Sequence, residues 1–175
     1  MDPVIIFNHQ DIRISVGNHQ DKLIYLASDY ASLDFKRKIR SELNISHPQI
    51  DFGANYQHQK PSELIEKVLE SVNERPFDSV GLLFFSEPDI MLRKIENYPF
   101  VHGAECLTVN DAVELRKYHN TNVLGFSTEN FSLDDPVSAV NLWLRTPFYT
   151  DNLDDNILEN FMKVIRFRRN IRRSR

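Results

Sequence analysis

Residues 81–89, Gly81-Leu82-Leu83-Phe84-Phe85-Ser86-Glu87-Pro88-Asp89, decide the fold that this sequence predicts. The apolar run is typical of a strand buried on both faces of a parallel sheet. In an open α/β sheet, ligands bind just beyond the carboxyl ends of such strands. Here the strand ends in a bulky Phe, no glycine follows to let backbone approach an anion, and Pro88 lacks an N–H donor. The stretch therefore predicts a small-molecule-binding fold whose site is altered.

Strands and helices alternate along the chain from Lys22 onward. Ser32 is placed to cap the first helix, and Pro61 stands where a helix tolerates proline in its first turn. The alternation predicts an α/β fold, a Rossmann-like three-layer α/β/α sandwich with a five-stranded parallel sheet. The predicted strands cover 22–28, 49–52, 79–85, 102–107 and 122–126, and the predicted helices cover 32–43, a segment from 61, 90–95, 110–118, 135–144 and 154–169.

The first 21 residues differ from the rest and are predicted to form a short N-terminal β extension. Val4–Phe7 and Asp11–Val16 are rich in β-formers, which indicates either a hairpin or an added edge strand. Asn18–Asp21 is then interpreted as a linker. The predicted organisation is an extension at 1–21, one domain at 22–170 and a basic tail at 171–175.

Length and composition indicate a single globular domain. The chain has 175 residues, of which 41% are apolar, and this is ordinary for a globular protein. No apolar run approaches the roughly 18–20 residues that span a bilayer, and Met1-Asp2-Pro3 lacks the basic start of a signal peptide. Cys106 is the single cysteine, so no internal disulfide framework is available. We expect a cytoplasmic protein with no membrane partner.

Charge is concentrated at the end of the sequence. Six arginines lie within residues 166–175, which contain no acid; the whole chain carries −4, so residues 1–165 carry −10. One interpretation is a solvated helix end, where cations favour the helix dipole. The alternative is an interaction tail for nucleic acid, anionic lipid or an acidic protein, with the α/β body as scaffold. Elsewhere no basic patch is interleaved with aromatics, so a nucleic-acid partner is not favoured.

Several short motifs occur in a characteristic order. Through them, residues 22–170 resemble the family of ribose-5-phosphate isomerase B and galactose-6-phosphate isomerase. The His-Asn-x-x-Val-Leu part is the most specific. The motifs are Ser28-Asp29-Tyr30-Ala31, Asp51-Phe52-Gly53, Gly81-Leu82-Leu83, Cys106, Leu115-Arg116-Lys117-Tyr118-His119-Asn120-Thr121-Asn122-Val123-Leu124 and Trp143-Leu144.

The resemblance implies an isomerase that assembles as dimers or tetramers, with sites between protomers and with no metal or cofactor. Such enzymes interconvert aldose and ketose phosphates, and a base moves a proton between C1 and C2 through an enediolate. An Asp-His pair, a His-Asn pair and several arginines open the sugar ring and hold the phosphate. A Gly-rich loop after the third strand offers N–H groups to the developing oxyanion. Galactose-6-phosphate isomerases use two unlike subunits.

Much of that apparatus is replaced here. Asp29 is kept but Tyr30 follows it, Phe85 occupies the position of the base cysteine, and Ser86–Asp89 replaces the Gly-rich loop. Glu129 and Asn156 stand near the positions where the family has arginines. The family's Gly-Gly-Arg-His segment is replaced by Thr150-Asp151-Asn152-Leu153. A phosphate dianion would meet acids and amides where it needs guanidinium groups. We therefore interpret the chain as a divergent, catalytically impaired family member, either a binding module or a partner subunit, in a homodimer, a tetramer or a hetero-oligomer with an active paralogue.

An active isomerase with a rewired site is the alternative. Asp89 stands four residues after the cysteine position, where some family members use a carboxylate, and would serve as base if burial raised its pKa. His119 would then open the ring. The sugar phosphate would contact Asp29, Tyr30, Ser86 and Asn120.

Each of these residues also has a structural interpretation. Asp29 suits a helix N-cap, Asp89 suits a helix first turn, and His119 suits a surface position. Cys106 and Trp143 are predicted to be core residues. The six histidines are scattered without ligand spacing, so no metal site is predicted.

Overall fold

The computed structural model describes residues 18–43, 47–54, 57–87, 89–128 and 135–148, together with the backbone of two short strands. The predicted helix at 154–169, the Arg-rich tail and the departures at 129, 150–153 and 156 lie outside the described residues. The elements are β1 (Val4–Ile6), β2 (Arg13–Ser15), β3 (Leu23–Ser28), α1 (Leu33–Leu43), β4 (Gln49–Asp51), α2 (Pro61–Glu74), β5 (Ser79–Phe85), α3 (Asp89–Ile95), β6 (Gly103–Glu105), α4 (Val109–His119), β7 (Val123–Ser127) and α5 (Pro136–Arg145).

The central sheet has five parallel strands in the order β4-β3-β5-β7-β6. β5 lies in the middle, and all seven of its residues are buried, as the apolar run predicts. Ser28 pairs with Phe84 and Phe85 pairs with Ser127, so the carboxyl ends of β3, β5 and β7 form one edge. β1 and β2 pair antiparallel in a separate sheet, which confirms the hairpin rather than the added edge strand.

Two apolar layers flank the sheet because side chains alternate along each strand. Leu82 and Phe84 pack in one cluster with α1, with α4 and with α5, which contributes the fully buried Trp143; the fully buried Cys106, which follows β6, belongs to the same cluster. Leu83 and Phe85 pack on the opposite face with α2 and α3. The three-layer α/β/α sandwich is therefore confirmed, as are the core positions of Trp143 and Cys106.

The ends of the helices follow local sequence signals, with one correction. Pro61 occupies the first turn of α2, as predicted. Ser32 does not use its hydroxyl to cap α1: that oxygen lies 3.1 Å from Thr128 Oγ1, and Asp29 Oδ1 accepts the Ser32 N–H instead. α4 ends at His119 and is capped by Asn120, whose left-handed backbone (φ 51°, ψ 36°) is a conformation that asparagine tolerates. Among the described residues, no helix combines the length and apolarity required to cross a bilayer.

Candidate functional site

The carboxyl edge of the sheet is tied together by one carboxylate. Asp29 follows β3, and Ser86 follows β5. Asp29 Oδ1 accepts the Ser32 N–H at 2.8 Å, and Oδ2 accepts both the Ser86 N–H at 2.7 Å and the Ser86 hydroxyl at 2.6 Å. Asp29 is only 9% exposed. The carboxylate therefore acts as N-cap and strand link together, and the Ser86 N–H is already donated within the chain.

Among the described residues, the side chain at the end of β5 is a phenylalanine and not a nucleophile. Phe85 is 3% exposed and packs into the core against the α2 and α3 side of the sheet. Tyr30 is 49% exposed. Ser127 donates its hydroxyl to the Ser86 carbonyl at 3.4 Å. The position that resembles the base cysteine is thus part of the core.

A buried cation holds the neighbouring loop after β4. Lys36 Nζ donates to Asp51 Oδ1 at 2.7 Å and to the Gly53 carbonyl at 2.5 Å, and Asp51 Oδ1 also accepts the Gly53 N–H at 2.9 Å. Burial lowers the pKa of Lys36, and the hydrogen bond that Lys36 donates to Asp51 partly opposes this shift. Gly53 has φ +123°, which side-chain-bearing residues rarely adopt. The resemblance marked Asp51 and Gly53, whereas Lys36 was missed because it stands among exposed charges in α1.

Asp89 lies at the same edge but in water. It is the first residue of α3 and is exposed. Its carbonyl accepts a hydrogen bond from Arg93 Nε at 3.3 Å. This position matches the structural interpretation of an acid in a helix first turn. Within one chain its carboxylate is therefore in contact with solvent and not enclosed in a site.

His119 lies at the opposite edge of the sheet. It is the exposed last residue of α4, which leads into the amino end of β7. Gly81 pairs with Val123 and Phe85 with Ser127, so the length of β7 separates the two edges. Four strand steps correspond to about 13 Å. One chain therefore does not bring His119 to Asp29, Ser86 or Asp89, and a site that uses both edges requires two chains.

The residues after His119 are held rigidly. Arg116 is fully buried, and its Nη1 donates to Asn120 Oδ1. Asn122, although part of the resembling motif, bonds the preceding loop: its Oδ1 accepts the His102 N–H, and its Nδ2 donates to the Phe100 carbonyl, both at 2.8 Å. Asn122 is thus structural, whereas Asn120 is half-buried and adjoins the exposed histidine.

His19 was missed because the sequence around it is typical of a linker. It is 2% exposed. Its Nε2 contacts the Thr121 carbonyl at 3.0 Å, its N–H donates to the Leu144 carbonyl at 2.6 Å, and its ring meets Trp143 edge-on at 5.0 Å. Burial lowers the pKa of His19 well below the usual value, and the positive charge of Arg116 lowers it further. Its partners are more than 100 residues away, so no local pattern indicates this burial.

Cys106 has the environment of an inert thiol. It is fully buried, and its Sγ donates to the Thr108 carbonyl at 3.2 Å. Burial raises the pKa of Cys106 to about 12. A thiol is nucleophilic only as thiolate, so Cys106 does not replace the missing base. The described residues also contain no group of three or more His, Cys, Asp or Glu side chains arranged to hold a metal ion.

The strand order and the helices on both faces of the sheet define a doubly wound α/β protein. The sequence model of the ribose/galactose isomerase family matches residues 24–159. The chain belongs to this family.

Solved structures show the same fold at low identity. Ribose-5-phosphate isomerase B from Mycoplasma genitalium, with ribulose-5-phosphate bound, superposes with a TM-score of 0.74 at 21% identity and covers 86% of this chain and 99% of that one. Ribose-5-phosphate isomerase B from Thermotoga maritima superposes with a TM-score of 0.68 at 22% identity and covers 79% of this chain and 96% of that one. A stretch of 51 residues is 41% identical to the DNA damage-repair/toleration protein DRT102 of Arabidopsis thaliana; it covers 29% of this chain and 16% of that protein.

Proposed function

We propose that this chain is a divergent sugar-phosphate isomerase family subunit, impaired in catalysis by its own carboxyl edge, that acts as a binding or partner subunit. In a hetero-oligomer it contributes His119 to a site completed by an active paralogue. The observation that carries this proposal is the contrast between the two edges. The Asp29–Ser86 link closes the carboxyl edge, whereas His119 at the amino edge is exposed.

Catalysis at the carboxyl edge would need a base and an oxyanion donor. The base position is the buried Phe85. The Ser86 N–H already donates to Asp29, so an enediolate would meet a fixed carboxylate in place of free N–H groups. Fixed donors aimed at developing charge are usually a large term in catalysis. A fixed negative charge at that point would instead destabilise the enediolate anion.

The separation of the edges makes a one-sided role chemically workable. A site between two chains needs only the amino edge of one chain and only the carboxyl edge of the other. This chain therefore needs no base of its own to support proton transfer on a partner's edge. The retained His119 and Asn120, together with the altered residues 85–89, fit that division of work.

The test is reconstitution with an isomerase-like paralogue from the same source. We expect the two chains to co-purify, and we expect this chain alone to give no turnover of pentose or hexose phosphates. His119→Ala should lower the turnover of the mixed oligomer about 10²-fold or more, the usual contribution of an acid–base group. His58→Ala, which changes another exposed histidine, is the matched control and should have no effect. Efficient turnover by this chain alone would overturn the proposal.

An active homo-oligomer is the second candidate, and the position of Asp89 at the start of α3, just beyond the carboxyl end of β5, favours it. In this case Asp89 of one protomer removes the proton, and His119 of the other opens the ring. Asp89→Asn should abolish turnover, whereas Glu87→Gln, at a neighbouring exposed acid, should not. Absence of turnover across pentose and hexose phosphates would rule this candidate out.

A further inference from the structure

The N-terminal extension makes a contact that the family match does not include. The match begins at residue 24, yet His19 is buried against Thr121 inside the matched region. A carbonyl oxygen only accepts hydrogen bonds, so His19 Nε2 carries the proton and donates it to the Thr121 carbonyl. Thr121 directly follows His119 and Asn120. The extension thus reaches the residues that we propose a partner site uses.

We infer that His19 is a positioning residue that clamps the His119–Asn120 turn. Three contacts fix Thr121: its N–H donates to the Leu115 carbonyl at 3.3 Å, its carbonyl accepts from His19, and its hydroxyl accepts the Trp143 indole N–H at 3.0 Å. His19 is in turn held by its own N–H on the Leu144 carbonyl. The carbonyl contact is the only one of the three that the extension supplies.

The other side of the turn is fixed by Arg116. A guanidinium group only donates, so the atom of Asn120 that faces Arg116 is the amide oxygen. The Asn120 amide is therefore oriented with its oxygen toward Arg116, and Asn120 directly follows the exposed His119. With Thr121 held by His19 and Asn120 held by Arg116, the turn after His119 is fixed on both sides. The use of this arrangement by a substrate oxygen rests on the proposed function; the clamp itself does not.

The clamp depends on a neutral His19. Its Nδ1 is buried and has no hydrogen-bond partner among the residues that the structure describes. The charged groups that face it are cations, Arg116 from α4 and Lys22 from the segment before β3. The α5 residues that contact it, Trp143 and Leu144, carry no charge. A proton on Nδ1 would find no acceptor and two like charges, so uptake of a proton should release the clamp.

Hydrogen exchange of the full chain, measured by NMR at neutral pH, tests the clamp. His19→Phe keeps a ring against Trp143 and removes the donor; the Thr121 and Asn122 amides should then exchange about five- to tenfold faster relative to the amides of α2, the factor expected for one lost buried hydrogen bond. His19→Gln retains an amide donor and should restore slower exchange. Leu69→Val, which shortens a buried side chain of α2 itself, should accelerate exchange of the α2 amides and not that of the Thr121 and Asn122 amides. Unchanged relative exchange in His19→Phe would overturn the inference.

A kinetic measurement separates the clamp from the proposed function. In the reconstituted mixed oligomer, His19→Phe should lower kcat several-fold with a smaller change in KM, because a loosened turn weakens alignment rather than binding. An unchanged kcat would overturn the positioning role. If the wild-type mixture shows no turnover, the proposed function fails, while hydrogen exchange still decides whether His19 holds the turn.

Discussion

The carboxylate of Asp29 and the hydroxyl of Ser86 lie 2.6 Å apart, and this contact joins the ends of two neighbouring strands. Because the same carboxylate also accepts two backbone N–H groups, its loss leaves donors unpaired in a buried position. Asp29→Asn should therefore lower the free energy of unfolding by about 1–3 kcal/mol. Chemical denaturation followed by circular dichroism measures this change.

Two variants control for the Asp29 prediction. Asp34→Asn removes an exposed acid whose ion pair with Arg37 is also exposed, and its effect should stay within about 0.5 kcal/mol. Ser86→Ala removes one of the three bonds and should cost about 1 kcal/mol. An Asp29→Asn protein as stable as the Asp34→Asn protein would show that the link contributes nothing to folding.

The sequence predicts the fold well but predicts the site only in part. The buried run of β5, the alternation of elements and the proline at the start of α2 are local patterns, and the structure follows them. Ser32 and Asp29 both suit an N-cap by residue type; in the structure the Ser32 hydroxyl contacts the distant Thr128, and the Asp29 carboxylate accepts the Ser32 N–H. The burial of Lys36 and His19 depends on partners distant in sequence, which no local pattern encodes.

The buried pair Lys36–Asp51 provides a second prediction. Lys36→Met leaves Asp51, whose side chain is only 12% exposed, without its closest cation. We expect a loss of about 3 kcal/mol in the free energy of unfolding. Arg40 still contacts Asp51 Oδ2 at 3.3 Å, so adding Asp51→Asn, which removes the charge that Lys36 balanced, should recover part of that loss in a double-mutant cycle. Additive losses from the two substitutions would contradict a direct coupling between these side chains.

A third prediction concerns pH. The pKa of His19 is lowered in the folded protein, so the unfolded chain takes up a proton at a higher pH than the folded one. The contribution of neutral His19 to the free energy of unfolding is fully present above the pKa of the unfolded chain, about 6.5. It is lost as the pH falls below that value toward the lower pKa of the folded protein. Burial and Arg145 lower the pKa of His47 in the same direction. The free energy of unfolding should thus decrease between pH 7.5 and 5.5, and His19→Phe should flatten this slope.

The fourth prediction uses the single cysteine. With a pKa of about 12 and full burial, Cys106 should react with iodoacetamide at pH 8 far more slowly in the native protein than in denaturant. Mass spectrometry over a time course measures both rates. Native labelling at the rate of the denatured chain would show that the thiol is accessible, and would reopen Cys106 as a reactive group.

The separation of His119 from the carboxyl edge sets the number of working centres in a mixed assembly. If one copy of this chain pairs reciprocally with one active paralogue, two composite centres form, and only one combines the histidine of this chain with the intact base of the paralogue. The other centre contains Phe85 of this chain and the Ser86 N–H, which already donates to Asp29. Under the proposed function, a tight active-site ligand should bind with a stoichiometry of one per pair of chains.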